Sequence, residues 1–247
     1  MSTSSSSAIR LRVPSALRSS SSSYSSQSNH TTTNSSNNHD DTDLSPPPIA
    51  WLTASSWNVT YSTLPMWRAK RNVRITYGLL SAINRQNAQE TAAAAARLSN
   101  LVTYQSLTSS KVRSVRGVDR AEVSTRAGAG AEAEAEAGIW SWHWRGSGWL
   151  KIASSRWEIL GYGAASACDS ETETDWMVTY FARTLFTPAG IDVYSRPRAA
   201  VSEQLLEEIQ RALKETGDVV LTRLADQLFL VKHDDDDDDD DNSVGAS

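Results

Sequence analysis

From residue 57 onward, apolar and polar residues alternate in a series of short runs. The clearest are Trp57–Ser62, Val73–Tyr77, Leu101–Gln105, Lys111–Val118, Trp140–Arg145, Trp149–Ala153, Trp157–Tyr162, Trp176–Ala182 and Ile191–Ser195. Alternation with a period of two marks a strand that is buried on one face. Leu64–Trp67, with its proline, breaks the pattern after the first run. Ser/Thr-rich or acidic stretches separate the others, and Gly161–Gly163 reads as a turn. One segment changes period. Leu205, Leu206, Ile209 and Leu213 recur at helical spacing, Ser202 stands at the N-cap position, Lys214 lies in the last turn, and Gly217 suits the residue after the C-cap. A short apolar run, Leu228–Val231, follows. Strands joined in sequence order by turn chemistry predict an all-β fold, an eight-stranded up-and-down antiparallel barrel with one C-terminal helix.

Composition restricts that prediction to part of the chain. Hydrophobic residues make up 39% of the 247, below the roughly 45–50% of globular domains, counted with glycine. The deficit sits at the ends. Residues 1–49 are rich in Ser, Thr and Asn and read as a disordered tail, and residues 234–247 read as a disordered acidic tail opened by Asp234–Asp241. Residues 50–233 form the expected domain. Low-complexity stretches near 86–97 and 121–138 read as insertions, which surface loops absorb at small cost. The formal charge of −5 comes from the acidic run, because residues 51–233 carry 21 Lys and Arg against 18 Asp and Glu. So slight a basic excess gives no reason to expect a nucleic-acid partner. The single cysteine, Cys168, allows neither an internal disulfide nor a cysteine-based zinc site, and its acidic neighbours argue against a reactive thiol. No window is apolar for long enough to span a membrane as a helix. Arg10, Arg12 and Arg18 among serines are compatible with a mitochondrial transit segment. A Ser-rich tail on a cytoplasmic protein is the preferred reading.

Three separated segments add a resemblance. Trp57 opens the first strand, with Ser55 two residues before it. Thr174-Asp175-Trp176 opens a later strand. Ile191–Ser195 runs into Arg196-Pro197, with a helix following from Ser202. In order, spacing and strand context these segments resemble the lipocalins, nearest to the intracellular apolipoprotein-D-like and bacterial branch. Ser55 departs from the glycine of that family's first motif. The resemblance implies a barrel that holds one small hydrophobic molecule such as a fatty acid or sterol. It also implies that Trp57 packs across one barrel end with Arg196 against it, and that Trp57, Thr174, Asp175 and Arg196 are structural.

Strand periodicity then proposes a cavity lining. With Trp57 inward, Tyr61 shares its face, and the same rule gives Ile75 and Tyr77, Val102 and Tyr104, and Val178 and Tyr180. Met177 and Phe181 form a competing inner set for the late strand. The inferred lining is apolar with several phenolic hydroxyls, which suits a hydrophobic ligand with one or two polar atoms. The main alternative is a non-catalytic interaction or scaffold protein whose barrel is filled by its nine tryptophans. A lipid-modifying isomerase or de-epoxidase would need an inward acid, base or thiol. The candidate acids Asp119, Glu158, Asp175 and Asp192 each have an outward or turn reading. His143, between Trp142 and Trp144, reads as outward rather than as a haem ligand. No Gly-rich phosphate loop, metal-ligand spacing or catalytic triad stands out, so no cofactor, metal or enzymatic activity is expected.

Overall fold

The computed structural model describes residues 9–21, 44–80, 96–122, 139–148, 154–165, 174–185, 187–196 and 201–234. Most of both low-complexity stretches, the Trp149–Ala153 run, Cys168 and the acidic run beyond Asp234 lie outside them.

Eight strands form a closed antiparallel barrel: β1 (Trp57–Ser62), β2 (Lys70–Leu80), β3 (Arg97–Ser106), β4 (Arg113–Glu122), β5 (Ser141–Gly146), β6 (Ser154–Gly163), β7 (Trp176–Phe181) and β8 (Gly190–Ser195). Each of β2 to β8 pairs with its neighbour in sequence, and β1 pairs with both β8 and β2. Contact between β1 and β2 is short, with Trp57 opposite Ile75 and Asn58 opposite Arg74. Beyond it the two strands diverge, and the C-terminal segment enters the gap. β9 (Phe229–Leu230) pairs with Tyr61 and Ser62, while Lys232 bridges to Arg71. Closure removes the free strand edges that would otherwise recruit other chains.

Burial divides into two clusters, one on each side of the barrel wall. Inside lie Trp57, Val59, Val73, Ile75, Tyr77, Leu98, Trp142, Trp157, Ile159, Met177 and Tyr194. Outside, Leu160, Trp176, Val178, Tyr180, Ile191 and Val193 meet Leu205, Ile209, Leu213, Leu221 and Leu224. The latter five come from α3 (Glu203–Glu215) and α4 (Val219–Ala225). Ser202 caps α3 by accepting from the Leu205 N–H, and Asp218 caps α4 by accepting from Val220 and Leu221. Gly217 between them takes φ 72°, a left-handed conformation that costs glycine little.

Several expectations are corrected. One helix was expected, but α4 and two short helices, α1 (Ser15–Ser21) and α2 (Ile49–Thr53), are present as well. Gly161–Gly163 is the end of β6 rather than a turn. Residues 9–18 are not a detached tail. Ile9, Leu11, Val13 and Leu17 pack on the outer cluster, and Arg12 N–H donates to the Leu160 carbonyl at 2.8 Å. These apolar residues find the β6 outer face, where Arg12 and Glu158 form a buried ion pair at 2.9 Å. Gly161 permits the approach, since a Cβ there would stand 2.4 Å from Leu11 Cδ2 and 2.9 Å from the Arg10 carbonyl.

Candidate functional site: the barrel cavity

The two barrel ends differ. At one, α2 lies across the opening. Leu52 is fully buried, and its carbonyl accepts from Trp57 Nε1 at 2.9 Å. Trp51 packs on Trp57 and Tyr162, with ring centroids 4.8 and 5.0 Å apart. Arg196 stacks on Trp57 at 3.6 Å, donates to the carbonyls of Ser55 and Trp51, and pairs with Asp175 at 3.3 Å. Thr174 is buried beside this assembly. This end is closed.

The opposite end opens into a cavity of about 1020 Å³, the upper end of the roughly 300–1,000 Å³ of small-molecule sites. Ile75, Tyr77, Val102, Tyr104, Trp144, Trp157 and Phe181 line it, with Leu64 and Trp67 over one side of the mouth. Trp67 belongs to the 3-10 turn Pro65–Trp67, which the proline-containing break after β1 produces. Met66 and Leu185 stand exposed at the rim.

Of the residues inferred from periodicity, Ile75, Tyr77, Val102 and Tyr104 line this cavity. Tyr61, Val178 and Tyr180 do not. All three pack in the outer cluster. In β1 the cause is a bulge. Val59 is opposite Tyr194 and Tyr61 is opposite Val193, so Thr60 is an extra residue that reverses the alternation. Ser62 takes the inward place instead. In β7 both faces are apolar because the helices cover the outer one, and periodicity alone chose the wrong set. Met177 is inside and Phe181 packs against the inner cluster.

Two carboxyls expected to point outward or to lie in turns do neither. Asp119 and Asp192 are inward and buried, at 0% and 1% exposure. Asp192 accepts from Ser62 Oγ at 2.5 Å and Trp67 Nε1 at 3.4 Å. Asp119 accepts from Asn100 Nδ2 and Trp157 Nε1, both at 2.8 Å. Burial favours the neutral form and raises Asp192 to about 7 and Asp119 to about 6, although these hydrogen bonds pull the other way. Burial also pushes the Tyr77 and Tyr194 hydroxyls well above their ordinary range. The signal available in the sequence was alternation. Asp192 is two residues before Tyr194 and Asp119 is four residues after Val115, so each shares an inward face with a cavity-wall residue. Glu158 and Asp175 lie outside the cavity, in the ion pairs with Arg12 and Arg196.

His143 pairs in register with Arg120 and Arg156, on the strand face opposite Trp142 and Trp144, and reaches only the cavity's edge. Among the described residues there is no group of three or more His, Cys, Asp or Glu placed to hold a metal ion. No helix among them is long and apolar enough to cross a membrane.

No protein-family model and no curated protein matches the chain. Solved barrels do resemble it. Apocrustacyanin C1 superposes at a TM-score of 0.43 with 10% identity, over 74% of this chain and 78% of its own. The siderocalin Ex-FABP, described as functioning through dual ligand specificities, superposes at 0.38 with 10% identity, over 73% and 94%. At these scores neither carries an argument, and the fold rests on the strand order and register given above.

Proposed function

We propose that this lipocalin-like barrel binds a small, mostly hydrophobic molecule in its cavity without transforming it. The observation that carries the reading is the cavity itself, about 1020 Å³, lined largely by aliphatic and aromatic side chains and open at one end. A filled barrel, as the scaffold alternative requires, would leave no such space. Trp67, Trp144 and Trp157 in the wall supply a direct readout. Titration of the full chain with retinol and a long-chain alcohol should quench tryptophan fluorescence saturably. Quenching that stays linear for every apolar probe would leave the scaffold reading ahead.

A lipid-modifying enzyme is the second reading, favoured by one observation. Asp192 supplies the inward acid that such chemistry needs. Mass analysis of a bound ligand before and after long incubation separates the two, since a binding protein returns the ligand unchanged.

A further inference from the structure

The polar groups of the cavity wall are unevenly spent. The indole N–H groups of Trp67 and Trp157 are used on Asp192 and Asp119. Asn100 turns its amide nitrogen to Asp119, so its oxygen is left over. That oxygen is buried without a hydrogen-bond partner, and the Tyr194 hydroxyl, also buried, has only the neighbouring Tyr77 hydroxyl and Thr179 within reach, neither in full hydrogen-bond geometry. Both residues line the cavity and are at least nine-tenths buried, Asn100 at 8% exposure and Tyr194 at 0%. Asp192 lines it too, and its carboxylate oxygens have more acceptor sites than the two donors from Ser62 and Trp67 fill. Trp142 Nε1 is also unpartnered, but Trp142 is not part of the cavity wall.

Charge points the same way. Among the described residues no basic side chain pairs with Asp119 or Asp192. The basic groups of the cavity, Lys70, Arg156 and Arg183, belong to the ends of strands and a loop around the mouth. The wall beneath therefore offers acceptors and, where the carboxyls are ionised, negative charge, while the Tyr77 and Tyr194 hydroxyls lie close enough to engage each other. A buried acceptor without a partner is costly, and a ligand that supplies the donor recovers that cost.

We propose that the cavity accepts an amphiphile whose polar end is a protonated amine, seated against Asp192 and the Tyr194 hydroxyl, with its apolar body along Ile75, Val102 and Trp157. The inference rests on the small-ligand reading and specifies it. A carboxylate head group is repelled once Asp192 is ionised, so above about pH 7 a fatty acid has to leave its head at the mouth. Ionised Asp192 and a protonated amine attract each other, and binding strengthens as pH rises through the ionisation of Asp192, until the amine itself deprotonates near 10. The other titratable groups facing Asp192 are Tyr77 on β2, Tyr194 on β8 and, more remotely, Asp119 on β4, and none of them brings positive charge.

Decylamine, decanol and decanoate share one apolar body and differ only in the head group. Each is titrated into the full chain below its micellar concentration and read by tryptophan fluorescence. Decylamine should bind about tenfold or more tighter than decanoate, the scale of a hydrogen bond to a charged group. It should bind more tightly at pH 8 than at pH 6. Asp192→Asn should remove most of the preference for the amine, and a near-ultraviolet circular dichroism spectrum matching that of the unaltered chain reports that the variant is folded. Decanoate binding as tightly as decylamine, or an amine preference that survives Asp192→Asn, overturns the proposal and leaves the small-ligand reading standing. No binding of any of the three overturns the proposal, and the small-ligand reading falls with it when retinol fails to bind as well.

Discussion

The guanidinium of Arg196 lies 3.6 Å from the ring centroid of Trp57, and these two residues join the last barrel strand to the first. The contact does more than stack two side chains. Arg196 also ties α2 to the barrel through the carbonyls of Ser55 and Trp51, while Asp175 holds the guanidinium from the β7 side. A fixed planar fork that stacks and donates at once is a role lysine cannot fill.

Trp57→Ala should therefore cost about 3–5 kcal/mol, as for other buried aromatics. Arg196→Ala should cost about 2 kcal/mol from the lost stack and hydrogen bonds, and Arg196→Lys should recover little of it. Urea denaturation of the two single variants and the double variant measures the coupling, expected at about 0.5–3 kcal/mol for residues in contact. Additive costs would mean that the stack contributes nothing of its own.

The N-terminal strap offers a second test. Residues 9–18 cover β6 with apolar side chains and a buried ion pair, so removal of residues 1–21 uncovers Leu160 and leaves Glu158 without Arg12. The truncated chain should melt several degrees lower. Glu158→Gln in the full chain should cost a few kcal/mol, because it strands a buried guanidinium. Gly161→Ala should mimic the truncation, since its methyl group would meet Leu11 and the Arg10 carbonyl. Equal melting temperatures for full-length and truncated chains would show that the strap contributes no stability.

The buried carboxyls make stability depend on pH in an unusual direction. Folding raises Asp192 to about 7 and Asp119 to about 6 from an ordinary value of 3.8. The folded chain thus holds protons that the unfolded chain has already released. The stability this gives is complete below about pH 4 and is lost as pH rises through the folded values, at up to about 1.4 kcal/mol per pH unit for each group. Asp234, held low by Asn72 and Arg71, acts in the opposite sense on the acid side. Unfolding free energies should therefore fall between about pH 4 and 7, and Asp192→Asn should flatten the upper part of that fall, between about pH 6 and 7. A slope unchanged by the substitution would mean that Asp192 ionises normally in the folded chain.

What the sequence made legible followed one rule, the period of two, and failed where that rule is broken or carries no information. It located every long strand among the described residues and the α3 cap, because half-buried faces and a capping serine write themselves into composition. It placed Ile75, Tyr77, Val102 and Tyr104 on the wall because β2 and β3 keep strict alternation across those residues. It could not see Thr60 as an extra residue, since a bulge between Val59 and Tyr61 leaves no compositional mark. In β7 five of six residues are buried, so neither face stands out as the inner one. Asp119 and Asp192 were read outward because an acid in a strand ordinarily is. Their burial depends on donors from Asn100, Trp157, Ser62 and Trp67, which lie far away in sequence. The strap reads as part of a disordered tail for a similar reason. Its few apolar residues gain value only against an outer face of β6 that the sequence did not show to be exposed.

The assignment of faces in β2 and β7 yields a paired test. Ile75 lines the cavity, so Ile75→Trp fills space a ligand needs. Overpacking a tight core typically costs 1–3 kcal/mol, but here the added ring enters open volume, and the stability loss should fall at or below the low end of that range. Retinol affinity should drop by about tenfold or more, equivalent to about 1.4 kcal/mol. Val178 packs under α3 on the other side of the wall, so Val178→Ala should do the reverse. It should cost about 0.5–3 kcal/mol of stability while leaving retinol affinity within about twofold. Thr76→Trp, on the exposed face between Ile75 and Tyr77, should change neither quantity much. Melting curves and fluorescence titrations on the three variants separate the two sides of the barrel. A Val178→Ala variant that loses retinol affinity while Ile75→Trp retains it would place the ligand under the helices rather than inside the barrel.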